Sequence, residues 1–273
     1  MASKSQKAVC SEGRIHQWHL QHRWLGPLIF ISSALFFLGQ IVVAWVFRGN
    51  VTTANGTTQH LQYNMVLNTI SDLGNTACGN YHGGYVCSPR WVVMDVVFAV
   101  VGLCMIIGSA LLFHEYCDRN RSRASWLPTE ATLAAVGFVM MAVGGLGAIT
   151  IACFPENTIG FMHEGGAALG IGVGNLGIFV LGASLGLPES MRRNMLIFSS
   201  FSITALILFA FNRPFGLGPG TMERLAAYPQ VVWMIAFGLY VWRFNPRAEY
   251  ERHQRAATQQ FGGAESMDAP QLT

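Results

Sequence analysis

The residues of this sequence that could do chemistry are acids, a histidine and a serine that lie beside long apolar stretches. Ser71 and Asp72 precede the second stretch, Asp95 lies just inside it, and His163 opens the fourth. A histidine can act as a general base, and a carboxylate can orient the histidine. We therefore treat Ser71, Asp72, Asp95 and His163 as candidate catalytic residues.

Other charged residues lie at the same ends of the apolar stretches and are candidates for substrate binding. They are Glu156, Glu164, Arg213, Glu223 and Arg224. Ionisable groups at the edge of a membrane are costly and often functional, and an arginine can hold an anionic head group. A structural interpretation is also open. Glu164 and Glu223 could complement helix dipoles, and Asp95 could pair with Arg90 or Arg224.

Six apolar stretches of membrane-spanning length would position these residues. The hydrocarbon core of a bilayer is about 30 Å thick, and a helix needs about 20 apolar residues to cross it. Lipid cannot hydrogen-bond a bare backbone, so helices are favoured. The predicted spans are Trp24–Phe47, Trp91–Phe113, Ala131–Phe154, His163–Leu185, Asn194–Phe211 and Arg224–Val241. The sequence predicts an all-α membrane protein with six transmembrane helices.

The distribution of lysine and arginine predicts the orientation of these helices. With a cytoplasmic N-terminus, the inner side holds Lys4, Lys7, Arg14, Arg23, Arg119, Arg121, Arg123, Arg192, Arg193, Arg243, Arg247, Arg252 and Arg255. The outer side holds only Arg48, Arg90, Arg213 and Arg224. Because basic residues collect on the cytoplasmic side, we expect both termini to be cytoplasmic.

This orientation defines the expected domains and location. Residues 1–23 would form a cytoplasmic leader, residues 24–243 a six-helix membrane domain, and residues 244–273 a mobile cytoplasmic tail. The net charge of +3 mostly reflects the basic residues that set the orientation of the helices in the membrane. We therefore expect no nucleic-acid partner. The plasma membrane is the expected location.

The loop between the first two spans is long and would be extracytoplasmic. Asn64, Asn68 and Asp72 recur on one side of a helical pattern, and Met65 and Ile70 lie on another. The pattern predicts a short amphipathic helix on the membrane surface, ending near Gly74. The sequons at Asn50 and Asn55 would matter only in a host that glycosylates exported loops.

The cysteines follow the predicted topology. Cys78 and Cys87 lie in the outer loop, and we expect them to form a disulfide. A ring of this size would stabilise the fold by about 2.5–3 kcal/mol, by restricting the unfolded chain. Cys10 and Cys117 would be cytoplasmic and reduced.

The sequence patterns that could indicate a metal site or a helix-packing partner are weaker. His60, His82 and His163 could converge on zinc with Asp72 or Asp95, but two of these histidines lie in a loop without ligand spacing, so we expect no metal or other cofactor. In the fourth span Gly166, Gly170 and Gly174 recur every four residues, and the third offers Gly144, Gly145 and Gly147. Such faces allow close helix approach, within the chain or to a partner. Gln40 and Asn175 are expected to hydrogen-bond between helices.

Several short runs together resemble a known family. They are Ile70-Ser71-Asp72-Leu73-Gly74-Asn75-Thr76, Cys78, Val86-Cys87-Ser88-Pro89, Phe154-Pro155-Glu156-Asn157-Thr158, His163 with Gly166-Ala167, Gly174-Asn175, and Gly220 with Glu223-Arg224. Over residues 25–243 the sequence resembles the bacterial membrane-protein family catalogued as domain of unknown function 998. The resemblance implies a multi-pass membrane protein and leaves the biochemical role open.

Two shorter elements, around Ser71 and at the start of the fourth span, resemble eukaryotic six-span proteins. Those proteins include damage-regulated autophagy modulators and a factor that remodels the lipid of glycosylphosphatidylinositol anchors. The resemblance implies work on or with membrane lipids at the non-cytoplasmic face, with Ser71, Asp72 and His163 carried over. Three hypotheses remain: a site that binds or remodels a lipid or lipid-linked substrate, a transporter or channel, and an accessory subunit of a membrane complex.

The charge distribution makes the orientation testable. Single cysteines placed at Ser122 and in the tail after residue 244 should resist an impermeant thiol reagent in intact cells. A cysteine at Thr57 should react, because its loop would face outward. Labelling at Ser122 from outside the cell would overturn the expected orientation.

Overall fold

The computed structural model describes residues 22–47, 49–52, 58–81, 84–120, 128–211 and 216–243. Within these residues, six helices or helix pairs are long and apolar enough to cross a membrane: Leu25–Val46, Trp91–Cys117, Thr129–Cys153, Gly160–Ser184, Glu189–Ala210 and Pro219–Arg243. The predicted six-span helical architecture is confirmed, and each predicted span overlaps an observed one. Arg213, Asn55 and His82 lie outside the described residues.

The helices are α1 (Leu25–Ser32), α2 (Leu35–Val46), α3 (Trp91–Asn120), α4 (Pro128–Cys153), α5 (Gly160–Ala167), α6 (Gly174–Ser184), α7 (Glu189–Ala210) and α8 (Pro219–Arg243). The first span consists of α1 and α2, which are separated at Ser33, where the hydroxyl donates to the carbonyl of Phe30 at 2.6 Å. The fourth span consists of α5 and α6, joined by the π-helical segment Ala168–Val173. Two of the six spans are therefore locally irregular.

The segment between the first and second spans is more structured than its sequence predicts. Strand β1 (Gly49–Thr52) pairs antiparallel with β2 (Thr58–Leu61), and β3 (Gly79–Tyr81) pairs antiparallel with β4 (Gly84–Val86). Between the two hairpins lies the 3₁₀ helix Ser71–Gly74. We call the end of the bundle that carries these elements the loop end.

The expected amphipathic surface helix forms only in part. It ends at Gly74 as predicted, but only its last four residues are helical, and residues 65–67 form a turn. Ile70 and Leu73 are 1% and 0% exposed. Their side chains enter the protein core, so the segment folds into the bundle instead of lying flat on a membrane.

Glycines let the third and fourth spans approach at backbone distance. A Cβ built on Gly147 would lie 2.3 Å from the backbone nitrogen of Gly170 and 2.6 Å from the carbonyl oxygen of Gly166. A Cβ on Gly144 would lie 2.9 Å from Cα of Gly174. Gly144 and Gly147 therefore face the glycine row of the fourth span within the chain, whereas Gly145 packs against Gly102 of the second span.

Polar side chains in the apolar interior pair between spans. The Tyr228 hydroxyl donates to Oε1 of Gln40 at 2.8 Å, and Nδ2 of Asn175 donates to Oε1 of Gln230 at 3.0 Å. Nε2 of Gln230 lies 3.2 Å from the sulfur of Met105. Gln40 and Asn175 thus link helices, as expected from their buried amides.

The cysteines confirm one expectation and correct another. Cys78 and Cys87 form the predicted disulfide, which closes the β3–β4 hairpin at its base. Cys104 and Cys153 are free thiols. Cys117 is disulfide-bonded, contrary to the expectation that it is reduced.

The glycine contact predicts a large difference between two similar substitutions. Gly147→Ala should destabilise the protein by about 1–3 kcal/mol, because the new methyl group meets backbone atoms that cannot move aside. Gly165→Ala, in α5, should not, since nothing lies within 4 Å of its built Cβ. Thermal unfolding in detergent compares them, and equal melting temperatures would contradict the packing argument.

Candidate functional site

The 3₁₀ helix that carries Ser71 is held by reciprocal local hydrogen bonds. The backbone N–H of Asp72 donates to Oγ1 of Thr69, and the backbone N–H of Thr69 donates to Oδ2 of Asp72, both at 3.0 Å. Nδ2 of Asn68 donates to the same carboxylate oxygen at 3.0 Å. This Thr-x-x-Asp arrangement has the geometry of a capping box. Asp72 therefore shapes the segment that presents Ser71.

Three buried side chains from three parts of the chain meet at the loop end. Oγ of Ser71 lies 2.8 Å from Oε1 of Glu223 in α8 and 2.9 Å from Nε2 of His163 in α5. The other carboxylate oxygen of Glu223 accepts a hydrogen bond from the backbone N–H of Ile70. We call Ser71, His163 and Glu223 the serine trio. Its members are 9%, 5% and 8% exposed, respectively.

The second ring nitrogen of His163 is also bonded. Nδ1 lies 3.0 Å from the carbonyl oxygen of Phe154, the first residue after α4. The last carbonyls of a helix have no partner within the helix, so an N–H donor satisfies this one. A carbonyl can only accept, and Nδ1 must therefore carry the proton. This fixes the imidazole ring with Nε2 toward Ser71.

The hydrogen bonds of the serine trio restrict where its protons can be. The Ser71 hydroxyl has one hydrogen and can donate to one neighbour only. If it donates to a neutral His163, then Glu223 must be protonated to donate to Ser71. If it donates to an ionised Glu223, then His163 must carry protons on both nitrogens. The two arrangements contain the same number of protons and interconvert when one proton moves along each bond.

Arg224, the residue after Glu223, binds the backbone of the loop segment. One of its terminal nitrogens, Nη1, donates to the carbonyl oxygens of Met65, Asn68 and Gly220 at 2.7–2.9 Å. The other, Nη2, donates to the hydroxyl of Tyr63. Arg224 is 7% exposed, and its Nε has no hydrogen-bond partner among the described residues. Glu223 and Arg224 both lie in the second turn of α8, so neither is the simple end-of-helix charge considered above.

Asp95 lies beside the 3₁₀ helix without joining the serine trio. It is 9% exposed, and a Cβ built on Gly74 would be 2.6 Å from its Oδ1. Within the described ranges Asp95 forms an ion pair with neither Arg90 nor Arg224. The position beside Nδ1 of His163 is occupied by the Phe154 carbonyl, and neither Asp72 nor Asp95 is hydrogen-bonded to this histidine in the described structure.

The turn after α4 is clamped to the loop end. The Tyr81 hydroxyl donates to the carbonyl oxygen of Glu156 at 2.9 Å, and the backbone N–H of Thr76 donates to Oδ1 of Asn157 at 3.1 Å.

Burial raises the pKa of Glu156 from 4.5 to about 8, helped by the charges of Glu223, Asp72 and Glu164. The carboxyl groups at the loop end therefore act on the pKa of Glu156. One of them, Glu164, is itself exposed.

Sequence reasoning missed three features of the interior. The Phe154 carbonyl is a backbone group and has no signature in residue types. Gln230 was visible as an uncharged amide inside a span, like Gln40 and Asn175. Arg23 and Glu115 lie 3.5 Å apart near the opposite end of the bundle, and the 3% exposed Glu115 side chain occurs inside α3, beyond the predicted end of its span.

No group of three or more histidine, cysteine, aspartate or glutamate side chains in the described ranges is arranged to hold a metal ion. Two of the histidines considered for zinc, His60 and His82, have side chains that lie outside the description. His163 has both nitrogens committed to the carbonyl and the serine.

Six apolar spans with a buried polar site at one end define a multi-pass integral membrane protein. A family model described as a protein of unknown function, DUF998, matches residues 42–240. The match covers most of the chain, and the chain belongs to this family, which confirms the resemblance seen in its motifs. No curated protein and no solved structure matches the chain.

The raised pKa of Glu156 predicts a pH-dependent stability. The unfolded carboxyl ionises above pH 4.5, whereas the folded one keeps its proton until about pH 8. The folded state therefore binds the proton more tightly, and this stabilisation is full below pH 4.5 and is lost as the pH rises to about 8.

Thermal unfolding in detergent at several pH values measures this effect. The melting temperature of the native protein should fall between pH 5 and pH 8, and Glu156→Gln should remove part of that fall. Glu130→Gln, which changes an exposed carboxyl at the far end of α4, should keep the native slope. An unchanged slope in Glu156→Gln would show that Glu156 does not titrate in this range.

Proposed function

We propose that the protein is a membrane enzyme that moves or removes an acyl group of a lipid or lipid-linked substrate. In this proposal Ser71 is the nucleophile, His163 is the general base, and Glu223 positions the serine. The observation that carries the proposal is the Ser71–His163 contact of 2.9 Å, in which the Phe154 carbonyl fixes the histidine ring for that role. A nucleophile, a base and a group that orients the base are the parts such catalysis needs.

The reaction would run through a covalent ester. Oγ of Ser71 attacks the acyl carbonyl carbon, and its proton passes to Nε2 of His163. The bond between the carbonyl carbon and the lipid alcohol breaks, and the departing oxygen takes the proton from His163. A second alcohol or water then attacks the acyl-serine by the same steps in reverse, with His163 again accepting and returning the proton.

The location of the serine trio supports a lipid substrate. His163 and Glu223 belong to membrane-spanning helices, about one turn from their loop ends, and the expected orientation puts those ends at the extracytoplasmic surface. Ester bonds of lipids lie between the head group and the hydrocarbon chains, at a similar depth. The burial of the trio limits contact with bulk water, which favours transfer between lipids over hydrolysis.

Transport is less well supported by the interior. A transport path needs polar groups through the depth of the membrane. The amides of the interior instead bond to neighbouring side chains, as the Gln40–Tyr228 and Asn175–Gln230 pairs show. The described interior therefore supports an enzyme better than a transporter.

An alkyl fluorophosphonate tests the nucleophile without knowledge of the natural substrate. The reagent phosphonylates activated serines and releases fluoride, with the serine proton passing to the base. In lipid nanodiscs, peptide mapping by mass spectrometry should find the adduct on Ser71. His163→Gln should label at least about 100-fold more slowly, because an amide cannot act as a general base.

A serine of the same loop end provides the matched control. Ser88 is also buried, but its hydroxyl donates to the carbonyl of Leu73 at 2.6 Å, and no histidine in the described part of the chain is hydrogen-bonded to it. Ser88→Ala should therefore label like the native protein, and Ser71→Ala should not label. Melting temperatures identify variants that fail to fold. A folded native protein that remains unlabelled, or equal labelling of Ser71→Ala, would refute the proposed nucleophile.

A further inference from the structure

A groove runs along the last helix of the bundle. Its volume is about 740 Å³, within the range of ligand-binding pockets. Helix α8 lines it with one stripe of residues from Thr221 to Tyr240, α7 lines the half that is far from the loop end, and Met65 and Val66 border its loop end. The groove therefore lies between two membrane-spanning helices.

The length of the groove is close to the thickness of the hydrocarbon layer. Arg224 and Tyr240 both line it, and their sequence separation of 16 positions corresponds to about 24 Å of helix. The hydrocarbon core of a bilayer is about 30 Å thick. In a membrane the groove would therefore lie at the depth of the acyl chains along most of its length, and its occupant must be apolar there.

The side chains that line the groove favour a hydrocarbon chain over a partner helix. Helices that pack together in membranes approach through small residues. The lining includes Phe198, Val232 and Trp233, and the glycines that permit such approach, Gly144 and Gly147, are used between the third and fourth spans. A flexible chain can follow an uneven wall of large side chains, whereas a rigid helix cannot.

Arg224 places a buried positive charge at the loop end of the groove. It lines the groove, is 7% exposed, and has an Nε without a hydrogen-bond partner in the described part of the chain. Its other nitrogens bind uncharged oxygens, and it forms no ion pair with any residue of the described ranges. The carboxylate of the adjacent Glu223 is bonded to Ser71 and Ile70. A buried cation without a paired anion favours an anionic ligand.

We infer that the groove binds one anionic phospholipid, with its phosphate at Arg224 and one acyl chain along α8. The binding site is separate from the serine trio and does not depend on the proposed chemistry of Ser71. It is nevertheless close to the trio, because Arg224 follows Glu223 in the same turn of α8. The lipid therefore occupies a site that also borders the segment carrying Ser71.

Photo-crosslinking in nanodiscs tests the inference. Phosphatidylglycerol with a diazirine in one acyl chain is compared with phosphatidylcholine carrying the same chain, and crosslinked peptides are mapped by mass spectrometry. The anionic probe should label α7 and α8 at the groove with about tenfold preference, because phosphatidylcholine has the same phosphate but also carries a choline cation that Arg224 repels. In Arg224→Gln this preference should disappear.

Two substitutions on α8 separate the groove from the rest of the helix surface. Ala236 lines the groove, so Ala236→Trp should fill it and abolish the preferential labelling. Leu239 is 52% exposed and lies outside the groove, so Leu239→Trp should label like the native protein. Ser71→Ala should also label normally, which distinguishes failure of this inference from failure of the proposed chemistry.

Three results would overturn the inference. They are equal labelling by the two lipids in the native protein, unchanged labelling in Ala236→Trp, and a groove crosslinked to a second copy of the chain in place of lipid. Because Ala236→Trp leaves the Arg224 contacts intact, the test remains decisive even if Arg224→Gln fails to fold.

Discussion

The structure depends on how the irregular backbone between residues 63 and 75, which is buried from Ile70 to Asn75, is hydrogen-bonded. This segment is mostly non-helical, and a buried peptide group without a partner costs several kcal/mol. Glu223 accepts from the backbone N–H of Ile70, and Arg224 donates to the carbonyls of Met65 and Asn68. Two adjacent residues, one with a carboxyl and one with a guanidinium group, therefore supply both the acceptor and the donors that the segment lacks. This allows an irregular chain to pack against a helical bundle.

The same contacts determine the position of the candidate nucleophile. Ser71 follows Ile70 directly, so the carboxylate that holds Ile70 also meets the serine hydroxyl. On the other side, the end of α4 presents the Phe154 carbonyl and α5 presents His163. The charged residues at the loop end thus have a structural role that does not exclude a chemical one. Glu223 contacts both the backbone of Ile70 and the hydroxyl of Ser71, whereas Asp72 mainly stabilises the local segment that carries Ser71.

The spans could be predicted because their cause is simple: long apolar runs have only one stable form in lipid. The disulfide was predictable because Cys78 and Cys87 are close in sequence. The path of residues 64–74 was not, because its apolar spacing fits a surface helix as well as a buried turn. Only the tertiary contacts of Ile70 and Leu73 decide between them. The hairpins also depend on such contacts.

For the candidate site, the sequence predicted which residues lie at the same end of the bundle, but it did not predict their contacts. Helix topology indicates which ends lie together, and this placed Ser71, His163, Glu223 and Arg224 at one end. It does not indicate which side chains touch, because that depends on the rotation of each helix and on the fold of the loop. The carbonyl that orients His163 follows from where α4 ends, and residue types do not carry that information. Asp95 shows the same limit, because it lies at the expected depth but points to the 3₁₀ helix.

The two proton arrangements of the serine trio differ in charge separation, and this connects the trio to Arg224. Low dielectric favours the arrangement in which Glu223 and His163 are both neutral, since opposite charges separated by a serine are poorly stabilised there. In that arrangement Ser71 donates to His163, as a nucleophile must. The positive charge of Arg224 opposes it by favouring an ionised Glu223. An anion bound at Arg224 would weaken this field, so a lipid in the groove would favour the arrangement in which Ser71 can react.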